Sequence, residues 1–577
     1  MRNEILSDRQ ALYLRLGIGA VFGLGAGWLA KMIDAPHATP DLWMHVVLSV
    51  LLLGAFVLWA GAGTMRRLSL AAWGVVALSL IAYIAWNHFA ARTGGSDPNP
   101  VFFDDHFLIY PFLFIAHELV SGADMAGKPV APYALYFDQA WKRGVQLILA
   151  VAFTVLFWGI LWLGATLLGF IGFKWLQDLL ENEYFSGPAT GLALAAAVHL
   201  GDVQTRLLAN VRALVLGVLS WLLPVIVVIG VIFAVSLGFS GLAPLWATKA
   251  ATATLLAACV ALVLLINAAY QQGDEERKVH IIMKWAARLA AGLLLVFALL
   301  AAYSLHLRID QYGLTMERVL AAVGVFIALL HGLGYAYAAV SLRGRWMAGI
   351  EVINVTLAFV MVAVFVAVLT PVADPARLSV DSQVARLGFG RVTPDRFDWK
   401  MLRFKTGVYG TNALDRLSKS GKTPAIRAAA LKARVMTDED RYDSADSSVD
   451  DGKPDPAHLA IVAPKGAALP TDFMAGSYKL FMPGTTSKCL PTAPAGATCY
   501  AAMVDLNRDG KPEILVLDDT EITIFTSDDD GWRDIDTLYM DKAAAEAFQQ
   551  GKVASIAPAW DDVMIGDSRQ KVDDTTK

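Results

Sequence analysis

The sequence predicts an α-helical polytopic membrane protein, with about 11 transmembrane helices and a C-terminal soluble α+β extension. The composition is 56% hydrophobic and only 17% charged, whereas soluble domains carry about 25% charged residues. Long apolar runs fill the chain up to residue 372, and residues 373–577 have an ordinary soluble composition. Positive charge is concentrated in every second loop between the apolar runs. These three observations predict a membrane domain followed by a soluble tail.

Eleven apolar runs approach the roughly 20 residues that a spanning helix needs. They lie near 11–30, 42–62, 68–90, 106–122, 145–173, 187–202, 212–236, 248–270, 284–305, 317–341 and 350–372. The fourth and sixth runs are short and each contains a histidine, so they either span or lie re-entrant or interfacial. The first run is too long for a signal-peptide core and has no cleavage site after it, so it is expected to remain as a membrane helix.

The loop charges predict the orientation, because cytoplasmic loops carry an excess of lysine and arginine. With the N-terminus in the cytoplasm, the cytoplasmic loops carry Arg66, Arg67, Lys128, Lys142, Arg143, Arg206, Arg212, Arg277, Lys278, Arg343 and Arg345. The opposite loops carry little positive charge: Lys31, Arg92, Lys174 and Arg308. An odd number of spans then places the tail in the periplasm of a bacterium, with the spans in its inner membrane.

The tail divides by composition. After the membrane domain, 1–372, residues 373–434 show helical periodicity, with Thr393-Pro394 and Thr423-Pro424 as expected helix starts. Residues 435–456 are acidic and rich in Ser and Asp, which predicts a flexible linker. Residues 457–577 contain short strand-type runs separated by turn residues: HLAIVA, SYKLFM, AAMVDL, EILVLDD, EITIFTS and WRDIDTLYM.

The stretch VDLNRDGKPEILVLDD, residues 504–519, has the pattern of a calcium loop between two strands. Alternating oxygen side chains, a glycine for the sharp turn and a later carboxylate suit Ca²⁺. The candidate ligands are Asp505, Asn507, Asp509, the carbonyl of Lys511, and Glu513. Val516 stands where an EF-hand requires glutamate. The loop instead resembles those of FG-GAP and VCBS propeller repeats, although a single copy does not support a propeller, and a metal-free turn is the alternative.

The cysteines also indicate in which compartment the tail lies. Cys489 and Cys499 flank a Pro- and Gly-containing loop, so in an oxidising periplasm they are expected to form a disulfide. Two free thiols are expected only if the tail is cytoplasmic. Cys259 lies within an apolar run and is expected to be a packing residue.

Several membrane stretches together carry a resemblance to a known family. They are PATGLALAAAVHLG, PLWATKAATATLLAACVALVLLINAAYQQGD, LTPVADPARLSVDSQVARL and, most specifically, RIDQYGLTMER. Over roughly residues 10–420 the chain resembles the bacterial multipass membrane family catalogued as domain of unknown function 4153. The resemblance implies a multipass architecture and carries over no activity, and the strand-rich tail lies outside it.

Ionisable groups inside membrane spans are candidates for function, because their burial is costly. His117 and Glu118 begin like a zinc-protease helix, but Ser121 stands where a second histidine is needed. His331 and Tyr335 lie one turn apart in another span, where they form either a helix contact or part of a substrate or proton pathway. Further polar groups have simpler interpretations: interfacial solvation for His199 and Asp202, and bonds between helices for Asn267 and Tyr270.

The outer loop that begins at Arg308 is a second candidate region. Arg308, Asp310 and Arg318 either form an ion-pair cluster that fixes the turn, or contact the tail or an anionic envelope ligand. Thr315 is the expected N-cap of the helix that follows.

Two function classes remain open. The first is a transporter or permease for an envelope solute. The second is a non-catalytic anchoring, sensing or assembly module whose periplasmic tail binds a protein or glycan partner. Proline breaks near Pro111, Pro188 and Pro224 suggest transport, and an internal cavity would favour it over a solid bundle. The sequence shows no catalytic or cofactor-binding residues and no basic stripe for nucleic acid; a membrane-embedded transferase is a weaker third class.

Overall fold

The computed structural model describes thirteen stretches of the chain. They are residues 5–33, 42–92, 107–242, 250–273, 279–341, 345–437, 459–474, 478–479, 499–518, 520–528, 531–555, 563–565 and 568–570. The chain divides into two compact units, residues 1–434 and 435–577. Most of the linker predicted at 435–456 falls outside the described residues, and the four-part division of the chain stays a prediction.

The first unit is a helical bundle. Its first twelve helices are α1 (Asp8–Ile33), α2 (Leu42–Gly61), α3 (Arg67–Arg92), α4 (Ile109–Ala126), α5 (Tyr133–Phe170), α6 (Trp175–Glu181), α7 (Glu183–Val203), α8 (Thr205–Ser240), α9 (Ala251–Tyr270), α10 (Ile281–Tyr312), α11 (Met316–Val340) and α12 (Gly349–Val368). In the described part of the chain, nine of them are long and apolar enough to cross a membrane, namely all but α4, α6 and α7. The predicted class of polytopic helical membrane protein is therefore confirmed.

The short runs at 106–122 and 187–202 form α4 and α7, so both are helical where described. Neither is among the nine candidate spans, and the count of eleven spans stays a prediction. The prolines do not break their helices as the sequence suggested. Pro188 and Pro224 lie inside continuous helices, and Pro111 lies in the first turn of α4, where its missing N–H is tolerated.

Helices α1 and α7 pack antiparallel through glycines. Gly19, Gly23 and Gly27 of α1 are spaced four residues apart, and a Cβ atom on any of them would overlap the α7 backbone. Gly19 meets Gly191, and Gly23 meets Gly187. Small residues at this spacing let two membrane helices approach until their backbones touch. We call this contact the glycine interface.

Two apolar cores hold the remaining long helices together. One is built from α8 to α11 with the first turns of α5, and alanines of α10 such as Ala290 and Ala291 are completely buried there. The other joins α2, α3 and α4. Helix α12 contributes Ile350 to the first core and Phe365 to the second, so it connects the two halves of the bundle.

Three further helices follow α12: α13 (Pro375–Gly388), α14 (Gly407–Ser420) and α15 (Pro424–Arg434), with a π-helical turn at Met401–Lys405. Pro424 starts α15 as predicted, but residues 394–397 form a turn and a bend, and helical structure resumes only at Trp399. Asp374 caps α13 by accepting the Ala376 N–H at 2.8 Å, and burial raises the pKa of its carboxyl group. The Gln383 amide donates to the carbonyl of Leu314 at 2.9 Å, which attaches α13 to the loop between α10 and α11.

The second unit is built on a six-stranded sheet. Its strands are β1 (Leu459–Ala463), β2 (Tyr478–Lys479), β3 (Cys499–Val504), β4 (Glu513–Asp518), β5 (Glu521–Asp528) and β6 (Gly531–Tyr539), in the order β1-β3-β4-β5-β6-β2. Strands β3 to β6 are antiparallel neighbours, while β1 and β2 join the edges in parallel. Two short helices and a separate strand pair complete the described part: α16 (Thr471–Met474), α17 (Lys542–Gln549), β7 (Val563–Ile565) and β8 (Ser568–Gln570). The predicted small sheet region is confirmed.

Both faces of the central strand β4 are buried. Ile514 and Val516 belong to a core with Phe473 of α16. The alternate residues Leu515 and Leu517 belong to a second core with Phe548 of α17. Because successive side chains of a strand point to opposite faces, this sheet is covered on both sides at β4.

Candidate functional site

A buried ion pair joins α4 and α5 inside the bundle. Arg143 Nε donates to Glu118 Oε1 at 3.1 Å, and the two side chains are only 4% and 6% exposed. Neither Arg143 Nη2 nor Glu118 Oε2 has a hydrogen-bond partner among the described residues. A buried charge is costly unless it is paired and its remaining hydrogen-bonding atoms are satisfied. This pair is therefore incompletely satisfied by the described protein atoms alone.

A second ion pair lies between α1 and α7, at the end of the glycine interface. Arg15, which is 1% exposed, pairs with Asp202, and Lys142 Nζ lies 3.0 Å from the other carboxylate oxygen. Arg15 Nε also donates to the carbonyl of Trp59 at 3.0 Å, and His199 Nδ1 lies 3.3 Å from Arg15 Nη1. The interpretation of Asp202 as a solvated interfacial group is therefore wrong, because the carboxylate is held by two cations.

We call these five ionisable residues the buried charge cluster: Arg15, Glu118, Lys142, Arg143 and Asp202. It contains three cations and two carboxylates, so its formal charge is positive. Lys142 and Arg143 are neighbours in α5, and they join the two ion pairs into one region of the bundle. Arg15, Glu118 and Arg143 are buried, whereas the Asp202 and Lys142 side chains are 16% and 29% exposed. The net positive charge favours an anionic ligand.

In the described part of the bundle two cavities lie beside the Arg143–Glu118 pair, and the larger of these two begins at Arg143. It has a volume of about 710 Å³ and lies between α2, α4, α5 and α7. Its walls are mostly aliphatic and aromatic, with Phe56, Tyr110 and Phe114 among them, and Arg143 and Gln146 are its hydrogen-bonding end. The Gln146 amide nitrogen donates to the Val198 carbonyl at 2.5 Å, whereas its oxygen has no partner in the described parts of the chain.

A smaller cavity of about 260 Å³ lies on the other side of the ion pair, between α4, α5, α9, α11 and α12. Glu118, Asn267, His331 and Asn354 line it. The Asn267 side-chain amide donates to the Tyr335 hydroxyl at 2.7 Å, and the Asn354 side-chain amide donates to Asn267 Oδ1 at 2.6 Å. The expected bonds of Asn267 between helices are therefore present.

The four membrane residues singled out in the sequence take different places. Glu118 and His331 line the smaller cavity. His117 and Tyr335 are buried too, but they are not among the described residues that line it. His117 Nδ1 accepts the Trp73 indole N–H at 3.1 Å, and His331 Nδ1 lies 2.9 Å from the Ile327 carbonyl in its own helix. The structure thus brings only two of the four to one cavity.

Sequence reasoning missed Arg15 and Gln146 and misplaced Arg143. Arg15 lies within the first apolar run, and an arginine inside a span was itself a signal. Arg143 was counted as a cytoplasmic loop charge, although it lies in the interior of α5 and is buried.

The outer-loop residues make separate contacts. Arg318 Nη1 donates to the Gly313 carbonyl at 2.7 Å, and its guanidinium lies over the Tyr312 ring. Asp310 lies 3.9 Å from Arg391 of the segment after α13, with both side chains largely exposed. Thr315 caps α11, as expected, by accepting the Arg318 N–H at 3.4 Å. Arg308 also lies at the exposed end of α10, and no ligand site is defined by these contacts.

The predicted calcium loop joins β3 and β4 as an antiparallel connection, so its predicted strand context is present. Asp505 accepts the N–H groups of Arg508 and Gly510 at 2.7 and 3.0 Å. Asp509 accepts the Lys511 N–H at 2.7 Å, and Asn507 accepts the Asp509 N–H at 2.9 Å. These bonds form an Asx-rich turn without an ion.

Glu513 is buried, and its carboxylate joins the backbone of the loop to strand β5. Its two carboxylate oxygens accept from the Leu506 N–H at 2.7 Å and the Thr526 hydroxyl at 3.1 Å. Within the described part of the chain, no group of three or more His, Cys, Asp or Glu side chains could hold a metal. Calcium binding stays a prediction, with Asp505, Asn507, Asp509, the Lys511 carbonyl and Glu513 as its candidate ligands.

If the loop binds calcium, hydrogen exchange of the β3 and β4 peptides in the full-length protein should be slower with millimolar Ca²⁺ than with chelator. An ion that binds only the folded state adds about 2.7 kcal/mol at a hundredfold excess over its Kd. Asp505→Ala and Asp509→Ala should each remove the difference, while Asp541→Ala, which alters the N-cap of α17, should retain it. Identical exchange with and without calcium in the unmodified protein would show that the loop is a plain turn.

The cysteines lie partly outside the described residues. Cys499 is disulfide-bonded, and Cys259 is a free, buried cysteine as expected. Cys489 is outside the described residues, so its pairing with Cys499 stays a prediction.

The fold and the buried charges define a polytopic helical membrane protein with internal cavities. Comparison with family models agrees with this class and with the resemblance seen in the sequence. The chain belongs to the family described as Domain of unknown function (DUF4153), whose model matches residues 20–417. No curated protein and no solved structure matches the chain.

Proposed function

We propose that this protein is a transporter or permease for an envelope solute, and that the solute passes the Arg143–Glu118 ion pair. The observation that carries the proposal is the position of this pair between two cavities. Arg143 lines the larger cavity and Glu118 lines the smaller one, and both cavities share Phe114 and Ile115 as walls. A change in this one contact would connect or separate the two spaces.

The energetic cost of the site supports the same function. A bundle that only anchors a soluble domain can fill its interior with apolar side chains, which is often as stable as a buried ion pair or more so. This bundle instead places Arg143 and Glu118 at the walls of two cavities, together with the amides of Gln146, Asn267 and Asn354. The larger cavity lies in the range of roughly 300–1,000 Å³ typical of ligand sites.

Aqueous access to the smaller cavity tests the proposal. Ala358→Cys in the full-length protein places a thiol in this cavity, and Ala152→Cys places one on the exposed surface of α5 that faces lipid. Cys259 is buried and Cys499 is disulfide-bonded, so labelling of the unmodified protein reports the remaining native cysteine, Cys489. In sealed membrane vesicles, a membrane-impermeant maleimide should label Ala358→Cys from at least one side and leave Ala152→Cys unlabelled. An Ala358→Cys thiol that stays unreactive from both sides would exclude an aqueous pathway.

A second function remains consistent with one specific observation. The unit at 435–577 is compact and has its own apolar cores, so it is suited to bind a protein or glycan partner on its own. In that case the membrane unit would anchor the tail or relay a signal, and the smaller cavity would be sealed from water.

The proposed location is the bacterial inner membrane, with the N-terminus in the cytoplasm and the C-terminal unit in the periplasm. The alternation of positive loop charge supports this orientation. A phosphatase reporter fused after Lys577 should be active, because that enzyme folds only in the periplasm. A cytoplasmic reporter that is active at the same position would reverse the orientation.

A further inference from the structure

We propose that the larger cavity binds an amphiphile from the bilayer whose head group carries both an anionic oxygen and a hydroxyl donor, as a phosphate monoester does. The head group would lie at Arg143 and Gln146, and its hydrocarbon chain would lie between α2, α4 and α5. This inference deepens the proposed function and rests on it, because it names the chemical class of the solute.

The hydrogen-bonding end of the cavity specifies the head group. Arg143 uses Nε for Glu118, and its Nη2 donor has no partner in the part of the chain that the structure describes. Gln146 uses its amide nitrogen for Val198, so the vacant atom is the acceptor oxygen. In its singly ionised form, which in water predominates below its second pKa of about 6, a phosphate monoester can accept from Arg143 through an ionised oxygen and donate to Gln146 through its remaining hydroxyl.

The charge of the region agrees with an anionic head. The buried charge cluster has three cations and two carboxylates, and Arg143 is the member that lines this cavity, so the net positive charge of the region attracts an anion. Arg143 is 3% exposed and Gln146 is 2% exposed, so their vacant atoms are removed from bulk solvent. An unsatisfied buried polar atom costs about 1–3 kcal/mol, which a ligand at this position would offset.

The opposite end of the cavity faces the bilayer. From Arg143 to Val151 the cavity follows α5 for roughly 12 Å, at about 1.5 Å per residue. Leu52 and Val151 line this end and are 54% and 55% exposed, on helices that are candidate membrane spans. Apolar side chains exposed there would contact lipid chains. A ligand that enters from this side must itself be amphiphilic, which excludes a small water-soluble anion.

Photolabelling of the full-length protein in non-ionic detergent tests the inference. The probe is dodecyl phosphate with a diazirine near the end of its chain. Crosslinks are expected in peptides that contain Leu52, Tyr110 or Val151. Unlabelled dodecyl phosphate should compete at least about tenfold better than dodecanol or dodecanoate, because a hydrogen bond to a charged group contributes about 1.5–3 kcal/mol. Inorganic phosphate should not compete at matched concentration.

Two variants separate the head-group contacts from the chain site. Glu118→Gln/Arg143→Gln removes both charges together and should weaken labelling about tenfold without leaving an unpaired charge. Leu147→Phe/Leu194→Phe narrows the cavity between α5 and α7 and should weaken labelling. Ile148→Phe, on the exposed side of the same helix, is the matched control and should label normally.

Each contrary result overturns the inference. If dodecanol competes equally well, the site does not recognise an anionic head group. If dodecanoate competes equally well, the site does not require a hydroxyl donor. Equal competition by inorganic phosphate would show that the hydrocarbon chain is not recognised. Labelling that is unchanged in Leu147→Phe/Leu194→Phe would place the probe outside this cavity. Specific labelling together with an unreactive Ala358→Cys would keep the lipid site and reject transport, so the two proposals fail separately.

Discussion

Gly23→Leu is expected to prevent native packing of the membrane unit. Its side chain would overlap the Gly187 carbonyl across the glycine interface, and its Cβ would lie 2.8 Å from Pro188 Cα. Overpacking alone costs about 1–3 kcal/mol. Moving α1 away from α7 would also break the buried Arg15–Asp202 pair, at about 3–5 kcal/mol. The measurements are the amount of protein in the membrane and the Tm of the purified protein.

Gly17→Leu is the matched control for this substitution. It adds the same side chain to the same helix, six residues away, where no atom lies within 4 Å of the added Cβ. The control should accumulate and melt like the unmodified protein. If both variants melt at the same temperature, the close α1–α7 contact does not hold the bundle together.

Arg143→Gln is expected to destabilise the bundle more than the double change Glu118→Gln/Arg143→Gln. The single change leaves the 5%-exposed Glu118 carboxylate without its cation, at about 3–5 kcal/mol. In the double variant the two amides can still form a hydrogen bond, and no charge is left unpaired. Thermal melts of four proteins in one detergent give the comparison: the unmodified protein, Glu118→Gln, Arg143→Gln and the double variant. Additive losses from the two single substitutions would show that the residues do not act as a pair.

The membrane class could be predicted because it depends on properties of local segments. Apolar length and the spacing of charged loops identify spans without knowledge of their neighbours. Counting apolar segments and loop charges assigned Arg143 to a loop, because this method treats every arginine near the end of an apolar segment as solvated. Whether that arginine is buried depends on Glu118, which lies in another helix.

The glycine interface shows the same limit. The spacing of Gly19, Gly23 and Gly27 is visible in the sequence and is typical of a close helix contact. Its partner is not visible, since Gly187 and Gly191 lie more than five helices later in the chain. A single sequence contains no information on which small-residue faces meet.

The position of the loop at 505–513 between two strands was predicted correctly. Alternating Asp and Asn side chains accept backbone N–H groups in a tight turn and also coordinate calcium, so the pattern serves both structures. The inward turn of Glu513 depends on Thr526 in the neighbouring strand β5. No local pattern predicts that contact.

The pairing of α1 with α7 has a consequence for biosynthesis. Arg15 and Asp202 are 187 residues apart, and a chain grows at about 5–20 residues per second, so α1 precedes its partner by about 10–40 s. During that interval α7 has not been synthesised, so the Arg15 side chain and the glycine face of α1 have no partner helix. The nascent chain therefore has to keep α1 near the headgroups, or in the insertion machinery, until α7 emerges. A chain truncated before residue 183 would isolate this state, and its α1 should be more accessible to water than in the complete protein.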